Sequence, residues 1–280
     1  SGTDASAVAW FMEMSQNFPK GIRSDNGTFT FDIWPAWAGP LHLRRGMSKE
    51  HEIIIACADK PRDPVRMEDL YLQHEVPGLG VWGANARPLE LTLDPDYARS
   101  TAVLELHRWL PYREEQYPIV EMQMGTLGTP RHHPNFGMID YGDTVARNGA
   151  WCHNNENDQI LNSIREYYRR GEFSLLVSAL AKAQHNAHID FISHDPDDPL
   201  REHSMPAHCP NHTDGASYPS HMWVDGLMAA YCITGNPDFR RVALAVGENL
   251  LRWQEMRPQV FYADSRECGW PMLAFLRLHD

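Results

Sequence analysis

The sequence predicts an α+β chain, strands first and helices after, on three observations. The apolar period changes from two to that of a helix, Gly and Pro punctuate each half as its period requires, and histidines gather in the helical half. Between about residues 27 and 123 apolar side chains alternate, as in Phe29-Phe31-Ile33, His51-Ile53-Ile55-Cys57, Leu89-Leu91-Leu93 and Ala102-Leu104-Leu106. Alternation broken by turns marks short antiparallel strands with one buried face. The expectation is an N-terminal antiparallel β-sandwich-like domain over residues 1–130. The Gly/Pro-rich stretch 125–137 closes it, and an α-helical domain follows over residues 131–280.

The helical elements follow in order. Ile160, Ile164 and Tyr167 share one face of a helix near 157–170, and Phe173, Leu176, Leu180 and Ala183 one face of a helix near 172–190. Gly171 joins them. Helices near 219–234 and 237–256 meet at Gly235-Asn236-Pro237-Asp238, where glycine stops one helix and Pro-Asp opens the next. Phe239, Val242, Val246, Leu250 and Trp253 form the buried stripe of the second. A last helix begins near Arg266 or Cys268, with Pro271 in its first turn. The two αα-hairpins form a weak repeat of the kind that stacks into an (α/α) toroid. Two and a half hairpins do not close such a ring, so an incomplete toroid from a longer protein is expected. The competing expectation is a complete small helical domain.

Composition narrows the partners. A formal charge of -12 without a basic stripe speaks against nucleic acid and anionic lipid, and no apolar run reaches the length of a membrane span. Five dispersed cysteines form neither a disulfide framework nor a cysteine zinc site. Ten of the fifteen histidines lie between His132 and His221, the pattern of a polar site.

Three segments hold the chemistry: 140–159, 188–218 and 219–231. Each leads into a helix, and stacked hairpins gather such loop ends on one face. Asn155 or Asn157 is a helix cap, with Glu156 and Asp158 favoured by the helix dipole. One cap does not account for Trp151, His153, Asn154 and Asn155 together, which points to a substrate edge. His203, His208, Cys209 and His212 overlap zinc spacings only loosely, lacking a second ligand pair. No cofactor is called for, although a divalent metal remains compatible with the imidazoles. His221 and Asp225 are one helical turn apart, so the carboxylate is placed to orient the ring. Trp223 serves either the core or a sugar face, and Tyr218 is either a general acid or a packed aromatic.

At these residues the chain resembles the exo-rhamnogalacturonan-lyase-like proteins, polysaccharide lyases with an (α/α) toroid packed on β-sandwich domains. The resemblance rests on Gly142-Asp143, Trp151 and Asn154 to Asp158, then Ala187 to Asp190, His203-Ser204 and His212-Thr213, then His221, Trp223 and Asp225-Gly226. It covers roughly residues 138–256, and the β half only through Ile33-Pro35 and Leu43-Gly46. The chain departs from the pattern in its short segment between His203 and His221 and in Asn157, where a tyrosine is common.

The resemblance implies β-elimination on a uronate-containing, rhamnogalacturonan-like acidic polysaccharide or oligosaccharide, by a secreted or periplasmic enzyme. Donors aimed at the uronate carboxyl lower the barrier most, a role for His153, Asn154 and Asn155, with Glu156 and Asp225 beside them. His212 or His221 is the expected base and Tyr218 or His203 the acid. Trp151 and Trp223 would stack on sugars, and Arg147 would bind a carboxylate. Two alternatives stand beside this. One is a glycoside hydrolase using two of Asp143, Glu156, Asp158 and Asp225. The other is a noncatalytic carbohydrate-binding module.

Overall fold

The structure, a computed structural model, describes residues 6–14, 17–58, 137–142, 144–145, 152–153, 155–170, 173–207 and 212–279. The strands expected at 89–93 and 102–106, the boundary at 130 and the turn at Gly171 lie outside them. What is described is a mixed α+β chain with small antiparallel ladders in its N-terminal part and helices after them.

β1 (Ser6–Phe11) pairs antiparallel with β4 (Ile53–Ala58), Phe11 opposite Ile53. β2 (Gly21–Asp25) and β3 (Thr28–Asp32) form a hairpin around Asn26-Gly27, both at positive φ, as the tight right-twisted turn requires. The ring of Phe11 meets that of Phe31 edge-on at 5.3 Å and joins the two ladders. The ammonium of Lys20, nearly enclosed, donates to the Ile33 carbonyl at 2.9 Å and lies 3.4 Å from the sulfur of Met138. Burial lowers its pKa to about 8. Met138 N–H donates in turn to the Phe18 carbonyl, so the 137–142 turn is fastened to the strand layer. Short β5 (Thr144–Val145) and β6 (Cys152–His153) pair with each other.

The helices are α1 (Gln159–Arg170), α2 (Phe173–His185), α3 (Asp225–Thr234), α4 (Pro237–Met256) and α5 (Ser265–His279). α2 continues into a single π-turn, Asn186–Asp190. The α3–α4 connection is built as its sequence demands: Gly235 is left-handed, and Asn236 Oδ1 accepts from Asp238 N–H at 3.0 Å. The predicted stripes meet in one core. Ile160, Ile164 and Tyr167 pack with Leu176 and Ala183, and with Phe239, Val242, Val246, Leu250 and Trp253. Each large apolar side chain so enclosed contributes roughly 1.5–3 kcal/mol.

Two helix starts differ from expectation. Residues 219–221 form a 3-10 turn, and α3 opens only at Asp225, because Met222, Trp223 and Val224 are buried ahead of it. α5 opens at Ser265, since Asp264 Oδ1 accepts from Arg266 and Glu267 N–H and caps it there. Pro271 therefore falls inside the helix, beyond its first turn.

The start of α1 explains its asparagines. Asn155, Asn157 and Asp158 all have φ between 52° and 57°, a conformation that Asn and Asp tolerate best among residues with a side chain. Asn155 Oδ1 accepts from Ile160 N–H at 3.0 Å. The Asp158 carboxylate accepts from Leu161 N–H at 3.1 Å and, with its other oxygen, from Gly226 N–H at 2.8 Å. One side chain thus caps α1 and docks α3. Any Cβ at Gly226 would sit 2.3 Å from Asp158 Oδ1 and 2.6 Å from Ile160 Cβ, so only glycine permits this approach.

Burial, reinforced by nearby Asp225 and opposed by the N–H groups of Leu161 and Gly226, pushes the Asp158 carboxyl up to about 6. On unfolding it returns to about 4. Between these values the native chain holds a proton that the unfolded chain has lost, so this group reduces stability as pH rises from about 4 to 6. A two-unit difference amounts to up to ~3 kcal/mol. Urea unfolding across pH 4–7 should show the wild type losing stability, relative to Asp158→Asn, by an amount of that order. Parallel curves would rule out the buried titration.

Candidate functional site

Two histidine–carboxylate clusters join residues of the three segments that the sequence singles out to His185, Arg266 and Glu267 from outside them. The first is interior. His212 opens a 3-10 turn at positive φ (58°) and is almost wholly buried. Its Nδ1 lies 3.1 Å from Asp190 Oδ1 and its Nε2 3.3 Å from Asp140 Oδ1. His185 brings Nε2 to 3.4 Å from the same Asp190 oxygen, and the two imidazole rings are 5.1 Å apart.

The π-turn makes this possible. In a regular α-helix, residues 185 and 190 would point about 140° apart at 3.6 residues per turn. Widening to the i to i+5 bond from Phe191 N–H to the Asn186 carbonyl, 3.0 Å, brings His185 and Asp190 to one side. Burial alone would raise the Asp190 carboxyl, but the charge of His185 and the hydrogen bonds from His185 and His212 outweigh it. They hold the group well below the usual carboxylate range. Asp190 is thus a buried anion, stable only because it is paired.

The second cluster lies nearer the surface. Ser220 Oγ donates its single proton to Glu267 Oε1 at 2.6 Å, while Ser220 N–H donates to Glu267 Oε2 at 3.0 Å. The Oγ can then only accept from His221 Nδ1, 3.0 Å away, which fixes the Nδ1–H tautomer. Nε2 is left as the acceptor nitrogen, facing Glu156 Oε2 at 3.6 Å. The other Glu156 oxygen is held by Arg266 at 2.9 Å. Tyr218, 46% exposed, lies with its ring 6.3 Å from that of His221. The Trp223 ring stands edge-on to both His221 (5.5 Å) and the half-buried Trp270 (5.8 Å). The result is an oriented imidazole between a carboxylate and an exposed phenol, beside an arginine and aromatic surface.

The predicted residues are distributed as follows. His221, Tyr218, Glu156 and Trp223 come together, although Trp223 is itself core. His212 joins the interior cluster. Asn155 is buried and engaged in capping α1, so its amide is turned away from any opening. Asp225 pairs with Arg277 at 2.7 Å and does not orient His221; three residues outside the helix separate them, and Glu267 acts through Ser220 instead. His203 stacks on Phe191 and faces Glu248 at 3.8 Å, away from both clusters. His153 is placed by its backbone on β6, while Arg147, Trp151, Asn154, His208, Cys209 and Asp143 lie outside the described residues.

Sequence reasoning passed over Asp140, His185, Ser220, Arg266 and Glu267. The grouping His185-x-x-His188-x-Asp190 is visible, but a helical period sets its first and last members apart. Glu267 lies 47 residues beyond Ser220, and no local pattern joins them.

The chain matches no protein-family model and no curated protein.

The Glu267–Ser220–His221 chain makes a definite tautomer testable. Nitrogen-15 shifts of His221, read where the ring is neutral, should report a proton on Nδ1. In Ser220→Ala the preference should weaken or reverse. A wild-type ring protonated on Nε2 would contradict the hydrogen-bond order.

Proposed function

We propose that the protein is a polysaccharide lyase that cleaves a uronate-containing, rhamnogalacturonan-like glycan by β-elimination. The observation that carries this is the oriented His221. Its Nδ1–H is committed to Ser220, which Glu267 holds in turn, its Nε2 faces Glu156, and exposed Tyr218 lies alongside. Elimination requires a base for the C5 proton and an acid for the leaving C4 oxygen, each worth roughly 10²- to 10⁴-fold. His221 Nε2 takes the proton, Glu156 stabilises the imidazolium that forms, and the Tyr218 hydroxyl protonates the departing oxygen. His212 is too enclosed for the base role, and His203 stands elsewhere.

The uronate is an anion and the protein is strongly acidic, so a local cation is needed. Arg266, half exposed beside Glu156, supplies one at this rim. Trp270 offers an indole face for a sugar ring. On this proposal the helices belong to an (α/α) toroid over residues 131–280 and the strands to a β-sandwich-like domain over 1–130. The enzyme meets its polymer outside the cytoplasm. No helix among the described residues is long and apolar enough to cross a membrane.

A hydrolase would need two carboxylates flanking the scissile bond. Of the four foreseen, Asp143 lies outside the described residues, Asp158 is buried in its capping bonds, Asp225 is paired with Arg277, and Glu156 is shared by Arg266 and His221. That distribution favours elimination.

Incubation of the full chain with rhamnogalacturonan and ulvan-type polymers should generate the ultraviolet absorbance of an unsaturated uronate. His221→Ala should reduce the rate by at least about 10²-fold, with polymer binding retained. New reducing ends without that absorbance would replace the lyase by a hydrolase. Binding without turnover in the wild type would leave a carbohydrate-binding module.

A further inference from the structure

We propose that His185, Asp190 and His212 bind one divalent transition-metal ion, zinc by the chemistry of the donor set, with Asp140 as the outer carboxylate. Two imidazole nitrogens and a carboxylate oxygen converge from the end of α2, the π-turn and the 212 loop, and these donor atoms all lie within 4.8 Å of one another. Bonds of roughly 2.0–2.1 Å in tetrahedral array imply ligand–ligand edges of about 3.3 Å. The separations Asp190 Oδ1 to His212 Nδ1, 3.1 Å, and Asp190 Oδ1 to His185 Nε2, 3.4 Å, match two such edges. A mixed nitrogen and oxygen set suits zinc better than calcium or magnesium, which take oxygen.

The remaining nitrogen of His212 strengthens the assignment. Its Nε2 faces Asp140 Oδ1 at 3.3 Å, and a metal-bound histidine usually gives its other N–H to a carboxylate in this way. All three ligand residues are nearly inaccessible to water, whereas surface ion sites are open. The π-turn is the local distortion that sets His185 and Asp190 on one side, and such turns concentrate at functional sites. The ion's role is to clamp the 212 loop to the end of α2, which fixes the approach of the chain to Tyr218 and His221. The assignment does not depend on the lyase proposal.

A second group, Glu50, His188 and Asp238, also has donor atoms within 4.8 Å of one another, but only His188 is buried, Glu50 is exposed and Asp238 is part-exposed. It supplies the control. The full chain, stripped with a chelator, should take up one equivalent of Zn²⁺ and melt at a higher temperature. X-ray absorption of the zinc-loaded wild type should report two imidazoles and a carboxylate oxygen. Co²⁺ in its place should give the strong visible bands of a tetrahedral ion.

Asp190→Asn and His185→Gln should abolish these bands. Asp140→Asn should weaken affinity by about 10- to 100-fold and Glu50→Gln should leave it unchanged. Should the ligand variants fail to fold, the wild-type absorption spectrum and the Asp140→Asn titration decide alone. No uptake of Zn²⁺, a first shell without imidazole, or binding lost in Glu50→Gln but kept in Asp190→Asn would overturn the proposal.

Discussion

The buried carboxylate of Asp158 is the contact on which the site's geometry depends. Its two oxygens hold the N–H groups of Leu161 and Gly226, so the first turns of α1 and α3 cannot separate without exposing a charge or orphaning two donors. Glu156 lies two residues before this carboxylate, and His221 lies five before Gly226. Locking the helix starts therefore sets the 3.6 Å separation of Glu156 and His221. The bare backbone of Gly226 and the left-handed Asn155, Asn157 and Asp158 serve the same closure. None of these four residues needs to touch a substrate for the site to require it.

Both imidazoles are buried, and the two clusters differ in what borders them. His212 is bracketed by Asp190 and Asp140 in the interior, where pairing holds Asp190 ionised and the imidazole is kept from solvent. His221 lies against a carboxylate on one side and a serine–glutamate pair on the other, with an exposed tyrosine next to it. The first arrangement suits a fixed structural centre. The second orients one ring nitrogen by a hydrogen bond from His221 to Ser220 and turns the other toward Glu156.

Much of the fold was legible because it rests on period and punctuation. The stripe from Phe239 to Trp253 and the turn at Gly235 to Asp238 are read directly from the sequence, and α4 spans the foreseen residues. Glu156, Tyr218 and His221 stand out in the sequence, and the structure brings them together. The site was not legible where geometry departs from the regular helix. A π-turn has no residue signature, so the pairing of His185 with Asp190 could not be read from a 3.6 period. Asp225 follows His221 at helical spacing, yet the residues between are pulled into the core before the helix begins, and the expected pair does not form. Of the group Trp151, His153, Asn154 and Asn155 that points to a substrate edge, Asn155 is accounted for by its positive φ and its capping bond, while Trp151 and Asn154 lie outside the described residues.

The strand-rich part also bears on the helical one. The loop at Arg45 to Ser48 lies against the π-turn and the chain after it. Ser48 N–H donates to the His188 carbonyl at 2.7 Å, Ser193 Oγ donates to the Gly46 carbonyl at 2.9 Å, and Arg45 pairs with Asp197 at 2.7 Å. A π-turn leaves carbonyls without regular helical partners, and His188 is one whose oxygen is satisfied from outside. Gly46 sits at positive φ with the Ile192 backbone 3.2 Å from where its Cβ would be, so a side chain there would be both strained and crowded. Asp140 comes from the same direction, on a turn anchored to Phe18. The interior histidine cluster is thus built at the seam between strands and helices. Disturbing Gly46 or Met138 should be felt at His212 before it is felt at His221.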